Sequence, residues 1–142
     1  MKKVVYTKIV GDLFHAGHVA FLRQARALGD ALVVHVVDDA RVSAFKRPPV
    51  MTQTERMAVV AGCRWVDEVV ADGPRVISLD FLDQHGYALY AFAWVDEREL
   101  QTKLRDCPDL PPHRIGRVSY TAGISTTELL HRIEARLQGG GR

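Results

Sequence analysis

The stretch KVVYTKIVGDLFHAGHVAFLRQARALGDALVVHVV, residues 3–37, decides the fold. It opens on a β-branched run and closes on ALVVHVV, residues 31–37, which is apolar almost throughout. A continuous apolar run suits a strand buried on both faces. Between the two runs, Val19, Phe21, Leu22, Ala25 and Leu28 recur at helical spacing. Strand, helix and strand in that order make a right-handed crossover between parallel strands. His35, inside the second run, reads as a core or interface histidine.

The alternation continues along the chain. WVDEVVA (65–71), YALYAFAWV (87–95) and HRIGRVSY (113–120) read as three more strands. TQTERMAVVAGC (52–63) starts a helix, with Thr52 and Glu55 at capping-box spacing. VISLDFLDQHG (76–86) is a helix ending near Gly86, residues 96–106 form a short helix, and STTELLHRIEARLQ (125–138) is the last. SAFKRPP (43–49) reads as a break, because Pro48 and Pro49 cannot join a ladder. The expected fold is α/β: a Rossmann-like three-layer α/β/α sandwich with a five-stranded parallel sheet. It occupies one domain over residues 1–138, followed by a flexible tail at 139–142. Such sheets bind ligands beyond the carboxyl ends of their strands, where the strand order switches.

Bulk properties exclude several classes. The net charge of +2 over 142 residues is too small to signal nucleic-acid binding, so any anion site must come from local placement. No apolar stretch is long enough to span a membrane. The N-terminal MKKVVYTKIV lacks the apolar region and cleavage site of a signal peptide. Cys63 and Cys107 form no CxxC pair, which argues against a disulfide framework or thiolate metal site and fits a reducing cytoplasm. The GxGxxG fingerprint is absent, which counts against a nicotinamide oxidoreductase.

Two helix starts carry the chemistry. His15 and His18 fall where the first strand ends and the first helix opens, three residues apart, so their rings point roughly the same way. Helix N-termini attract anions, two imidazoles add donors, and Gly17 is read as leaving room for a phosphate close to the backbone. A zinc site needs further ligands, and none stands nearby. The second start lies in YTAGISTTELL, residues 120–130. Ser125 and Glu128 have capping-box spacing, which by itself means only a well-capped helix. Gly123 followed by Ser125, Thr126 and Thr127 adds hydroxyls and N–H groups after a strand, a second anion cradle. Two cradles at one sheet edge can hold a polyphosphate.

These segments resemble the HxGH nucleotidyltransferases, most closely the cytidylyltransferase branch. DLFHAGH (12–18) is similar to the family's D-x-x-H-x-G-H, and GISTT (123–127) to the end of R-T-x-G-I-S-T-T. MTQTERM (51–57) and CRWVDEVV (63–70) resemble segments of choline-phosphate and ethanolamine-phosphate cytidylyltransferases, and FKRPP (45–49) their lysine-bearing mobile loop. Glycerol-3-phosphate cytidylyltransferases share the same core. The resemblance implies attack of an acceptor oxygen on the α-phosphorus of CTP with loss of pyrophosphate. It implies catalytic roles for His15, His18 and Lys46, and nucleotide binding by Gly11, Asp12, Gly17, Gly123, Ile124, Ser125, Thr126 and Thr127. Arg64, Arg75 and Lys46 would meet the acceptor, with Arg56, Tyr120 and Trp94 as further functional positions. Taken alone, Arg56 and Arg64 read as solvated or paired with Glu55 and Asp67. Mg²⁺ would bridge the phosphates, held mainly by substrate and water. A homodimer is implied, because the region of CRWVDEVV pairs in relatives.

The pattern also departs from the family. The glycine before the first loop falls on Ile9, and Gly11 stands where a larger residue is usual. The signature arginine falls on Tyr120, leaving one phosphate contact missing or supplied by another residue. The acidic turn after the fourth strand reads Phe92, Ala93, Trp94, and the tryptophan of the choline enzymes falls on Arg75. A cationic head group prefers aromatic faces and carboxylates. Arg75 instead suits an acceptor with an additional anionic group, so a small anionic phosphonate such as phosphonoformate is favoured, unless Arg75 is a solvated loop residue. An adenylyltransferase of the same superfamily and a non-catalytic nucleotide sensor are the rival readings.

Overall fold

The computed structural model describes residues 2–139. The expected tail at 139–142 therefore lies outside the described residues from residue 140 onward. The strands are β1 (Val4–Ile9), β2 (Ala31–Val36), β3 (Glu68–Val70), β4 (Tyr87–Ala93) and β5 (Ile115–Val118). The helices are α1 (Ala16–Ala27), α2 (Asp39–Phe45), α3 (Gln53–Ala61), α4 (Leu79–His85), α5 (Glu97–Leu104) and α6 (Thr126–Leu137). The strands pair in the order β3-β2-β1-β4-β5, parallel throughout. The chain builds outward from β1 through β2 to β3, then returns to the other side of β1 for β4. The order therefore switches between β1 and β4, where a crevice opens beyond the strand ends.

Strand alternation divides the core into two layers. Val5, Leu32, Val34 and Ala91 face Leu22 and Ala25 of α1 and Val60 of α3. Their neighbours Tyr6, Val33, Tyr90 and Phe92 face Ile77, Leu82 of α4, and Cys107 and Leu110 after α5. Both faces of the sheet are covered, which accounts for the apolar run of β2. His35 is buried on β2 as part of this interior.

Local chemistry sets the helix starts. Thr52 and Glu55 complete a capping box at α3, and Ser78 caps α4, which ends on Gly86 in the left-handed region. One helix was not expected. SAFKRPP breaks only at Lys46, because α2 runs through Ser43 to Phe45. Asp38 nucleates it by accepting a hydrogen bond from Arg41 N at 2.8 Å. The third strand shrinks to three residues, at an edge where a single neighbour supplies its ladder.

Candidate active site

His15 is the N-cap of α1. Its Nδ1 accepts from Gly17 N, and His18 Nδ1 accepts from His15 N, both at 3.0 Å. Each imidazole thus caps the helix with one nitrogen. Because Nδ1 is the acceptor, Nε2 carries the proton in the neutral ring. The ring centroids lie 3.9 Å apart. A side chain at Gly17 would strike the His15 ring, at 2.8 Å from Cε1, so the absence of a Cβ there makes room for the imidazole. Burial pushes the pKa of His15 down. Burial, then the neighbouring His15 and Lys46, hold His18 at about 4, against an opposing pull from Asp12. Near neutral pH the pair offers Nε2–H donors rather than positive charges.

The depressed His18 pKa makes a stability prediction. Between the ordinary value of 6.5 and about 4, the unfolded chain binds a proton that the folded chain refuses. Stability should therefore fall as pH drops through that window and stay level above it. After allowance for partial exposure, the loss is about 2 kcal/mol. Denaturant titrations from pH 7 to 4 on wild type and His18→Asn check this: the variant should show a shallower decline.

The start of α6 faces this pair. Ser125 Oγ accepts from Glu128 N at 3.0 Å, but Glu128 turns to Arg132 at 3.1 Å, so only half of the expected capping box forms. Thr126 Oγ1 lies 3.5 Å from His15 Nε2 and donates to Asp12 O at 2.9 Å. A cavity of about 420 Å³ opens between the two helix starts, lined by His15, His18, Lys46, Ser125, Thr126 and Thr127 among others. Gly17 and Ile124 also line it. Gly123 makes the left-handed turn before α6, with φ +83°, and lies outside the lining.

Other expected residues act from behind the cavity wall. Gly11 (φ +73°) turns the chain after β1, where a side chain would meet Val60 and Ile9. Asp12 is buried, and its carboxylate accepts from Val50 N at 2.8 Å and Met51 N at 2.9 Å. It pins the segment that follows Lys46. Arg56 is fully buried and donates to the carbonyls of Val10, Val37 and Met51 and to Asp39. It is neither solvated nor paired with Glu55. Because Val10 and Val37 directly follow β1 and β2 and line the second cavity, Arg56 fixes that wall from the rear.

This second cavity, of about 530 Å³, adjoins the first and shares Ile9, Phe21 and Tyr120 with it. Tyr90 and Phe92 form part of its wall, and four cations reach it: Lys8, Arg41, Arg75 and Lys103. Asp106 is the one carboxylate in the lining, 3.2 Å from Arg75. Lys8 donates to Arg75 O at 2.9 Å, and burial lowers its pKa. Arg41 is placed by Asp38 and by donation to Gly73 O at 3.0 Å. Lys8, Arg41 and Lys103 had no sequence signal, because each is an ordinary basic residue until the sheet and helices converge.

Arg64 and Trp94 line neither cavity. Arg64 lies after α3, toward the amino end of β3, and stacks on Trp65 at 5.2 Å. Asp67, its expected partner, pairs with Arg26 at 3.1 Å. Trp94 is covered by the Arg117 guanidinium at 4.8 Å. Among the described residues, no group of three or more His, Cys, Asp or Glu side chains converges as a metal cage, and no helix is long and apolar enough to cross a membrane.

Comparison with known proteins agrees with this architecture. A family model described as cytidylyltransferase-like matches residues 12–132. The chain is 37% identical over 134 residues to the ethanolamine-phosphate cytidylyltransferase of Arabidopsis thaliana, covering 91% of this chain and 32% of that protein. It is 38% identical over 127 residues to the Mus musculus protein of the same name, covering 86% of this chain and 30% of that one. The chain thus spans about a third of the length of these curated relatives. A solved lipopolysaccharide core biosynthesis protein from Thermoplasma volcanium GSS1 superposes with a TM-score of 0.64 at 24% identity, over 85% of this chain and 99% of that one, and supports the fold. The family match begins in the first turn after β1 and runs into α6, taking in both helix starts of the cleft, and the chain therefore belongs to the cytidylyltransferase-like family.

Proposed function

We propose that this chain transfers CMP from magnesium-bound CTP to a small phosphonate or phosphate ester whose remaining part is also anionic, releasing pyrophosphate. One observation carries the acceptor class: Lys8, Arg41, Arg75 and Lys103 line the second cavity against the single carboxylate of Asp106. A phosphoethanolamine or phosphocholine head would bring a further cation among them. An acid would meet partners instead, since Arg75 keeps guanidinium donors beyond the one that reaches Asp106.

The triphosphate lies in the first cavity under this reading. An acceptor oxyanion in the second attacks the α-phosphorus, the new P–O bond forms, and the bond to the bridging oxygen breaks in line. The electron pair leaves with pyrophosphate, so no protein nucleophile is needed. His15 and His18 donate Nε2–H to the oxygens where charge develops. Ser125, Thr126 and Thr127 hold the distal phosphates at the α6 start, and Lys46 adds positive charge. Mg²⁺ would accompany the nucleotide and supply charge neutralisation of its phosphates. The donors lining the first cavity are imidazoles, hydroxyls and cations, and the Asp12 carboxylate is occupied by Val50 and Met51. The ion would accordingly be held by phosphate oxygens and water rather than by a protein carboxylate. The setting is the reducing cytoplasm and the assembly a homodimer, the latter checked by light scattering of the purified protein.

Pyrophosphate release, measured for carboxylated phosphonates, phosphoethanolamine and phosphocholine with CTP or ATP, tests the reading. Wild type should prefer CTP and a carboxylated phosphonate. Arg75→Trp should erode the acceptor preference by about one to two decades and keep the CTP requirement, the loss of one charge-assisted hydrogen bond. Best turnover with phosphocholine would overturn the acceptor class. Faster turnover with ATP would indicate an adenylyltransferase, and tight nucleotide binding without turnover a sensor.

A further inference from the structure

We propose that Lys103 is a phosphate-binding residue of this cleft, holding the oxyanion that sits where the two cavities meet. The inference rests on the nucleotidyl-transfer reading above and adds a residue to it. Lys103 Nζ donates to Ala93 O, at the carboxyl end of β4, and to the Tyr120 hydroxyl at 2.6 Å. An ammonium group has three N–H donors, so these two bonds orient the group and leave a third for a ligand.

The phenol that steadies it is itself fixed. Tyr120 donates to Glu99 Oε2 at 3.0 Å, and Glu99 Oε1 accepts from Val95 N at 2.7 Å. The carboxylate stands one side chain away from the ammonium, which it positions without pairing to it. No ion pair among the described residues includes Lys103.

Placement supplies the ligand. Lys103 lines the acceptor-side cavity, and its partner Tyr120 lines both. Lys46 lines the nucleotide-side cavity. Burial first, and then the field of Lys46, lower the Lys103 pKa despite the pull of Glu99. Lys46 and Lys103 therefore stand in adjoining cavities that share Tyr120, and an anion spanning the junction would meet a cation on each side. Under transfer chemistry, the group at that junction is the phosphate-type centre of the reaction.

The test uses Lys103→Met, Lys103→Arg and the double variant Lys103→Met/Tyr120→Arg, with MgCTP and the acceptor that wild type turns over best. Lys103→Met should lower kcat/KM by about 100-fold. Lys103→Arg should keep most activity. In the double variant, an arginine entering from the Tyr120 wall should recover at least about tenfold. A residue that only braces α5 would lose thermal stability and gain nothing from either arginine. Near-wild-type kcat/KM for Lys103→Met, or a loss that neither arginine repairs, overturns the proposal. Calorimetric titration with inorganic pyrophosphate separates this from the function itself. If wild type turns over no acceptor, the transfer reading fails. About tenfold weaker pyrophosphate binding by Lys103→Met then still upholds Lys103 as an anion ligand, and equal binding refutes it.

Discussion

Replacing His15 or His18 by asparagine is expected to lower turnover by two to three orders of magnitude while leaving the domain folded. The structure makes this separation possible, because each ring does two jobs with two different nitrogens. Nδ1 caps α1, and Nε2–H remains for a substrate oxygen. Asparagine places an amide oxygen near the Nδ1 position, and at His15 it is also a favoured N-cap residue, so the α1 start survives. It has no atom near Nε2, so the donor is lost. Turnover is read by pyrophosphate release and folding by thermal melts of the same preparations. Near-normal turnover in both folded variants would remove the imidazoles from the mechanism.

The largest expected effect on stability belongs to Arg56→Met. Arg56 is 0% exposed and its guanidinium bonds to three backbone carbonyls and a carboxylate. Methionine fills part of the volume but leaves the Val10, Val37 and Met51 carbonyls without this donor and Asp39 without a cation. The cost should be about 3–5 kcal/mol, a large share of the margin of a domain this size. Urea titration measures it, and a loss below about 1 kcal/mol would show that the carbonyls find other donors. Arg56→Lys should fall between, since one ammonium cannot span the same fork.

Much of this could be read from residue order, and the limits have physical causes. Apolar runs and capping residues located the strands and most helices, because those signals are local. Helix α2 was hidden because Pro48 and Pro49 dominate its neighbourhood and its core contact rests on one buried residue, Val42. The positions of His15, His18 and Ser125 at helix starts were legible for the same local reason. Asp12 read as a nucleotide contact and Arg56 as a further functional position; the structure buries both, on partners that stand mostly 17 to 46 residues away in sequence. Lys8, Arg41 and Lys103 gain meaning only from the strand order, which brings β1, α2 and α5 to one crevice.

The Asp12 tether gives Lys46 an unusual mechanical status. Helix α2 ends at Phe45, and the next fixed point is Val50, held on the Asp12 carboxylate. Four residues lie between, two of them prolines. Lys46 and Arg47 thus ride on a short stiff bridge anchored at both ends, not on a free arm. Its backbone has little slack, so little conformational freedom is left to lose when an anion arrives. The attraction of the side-chain charge is then spent on holding the ligand rather than on ordering the chain.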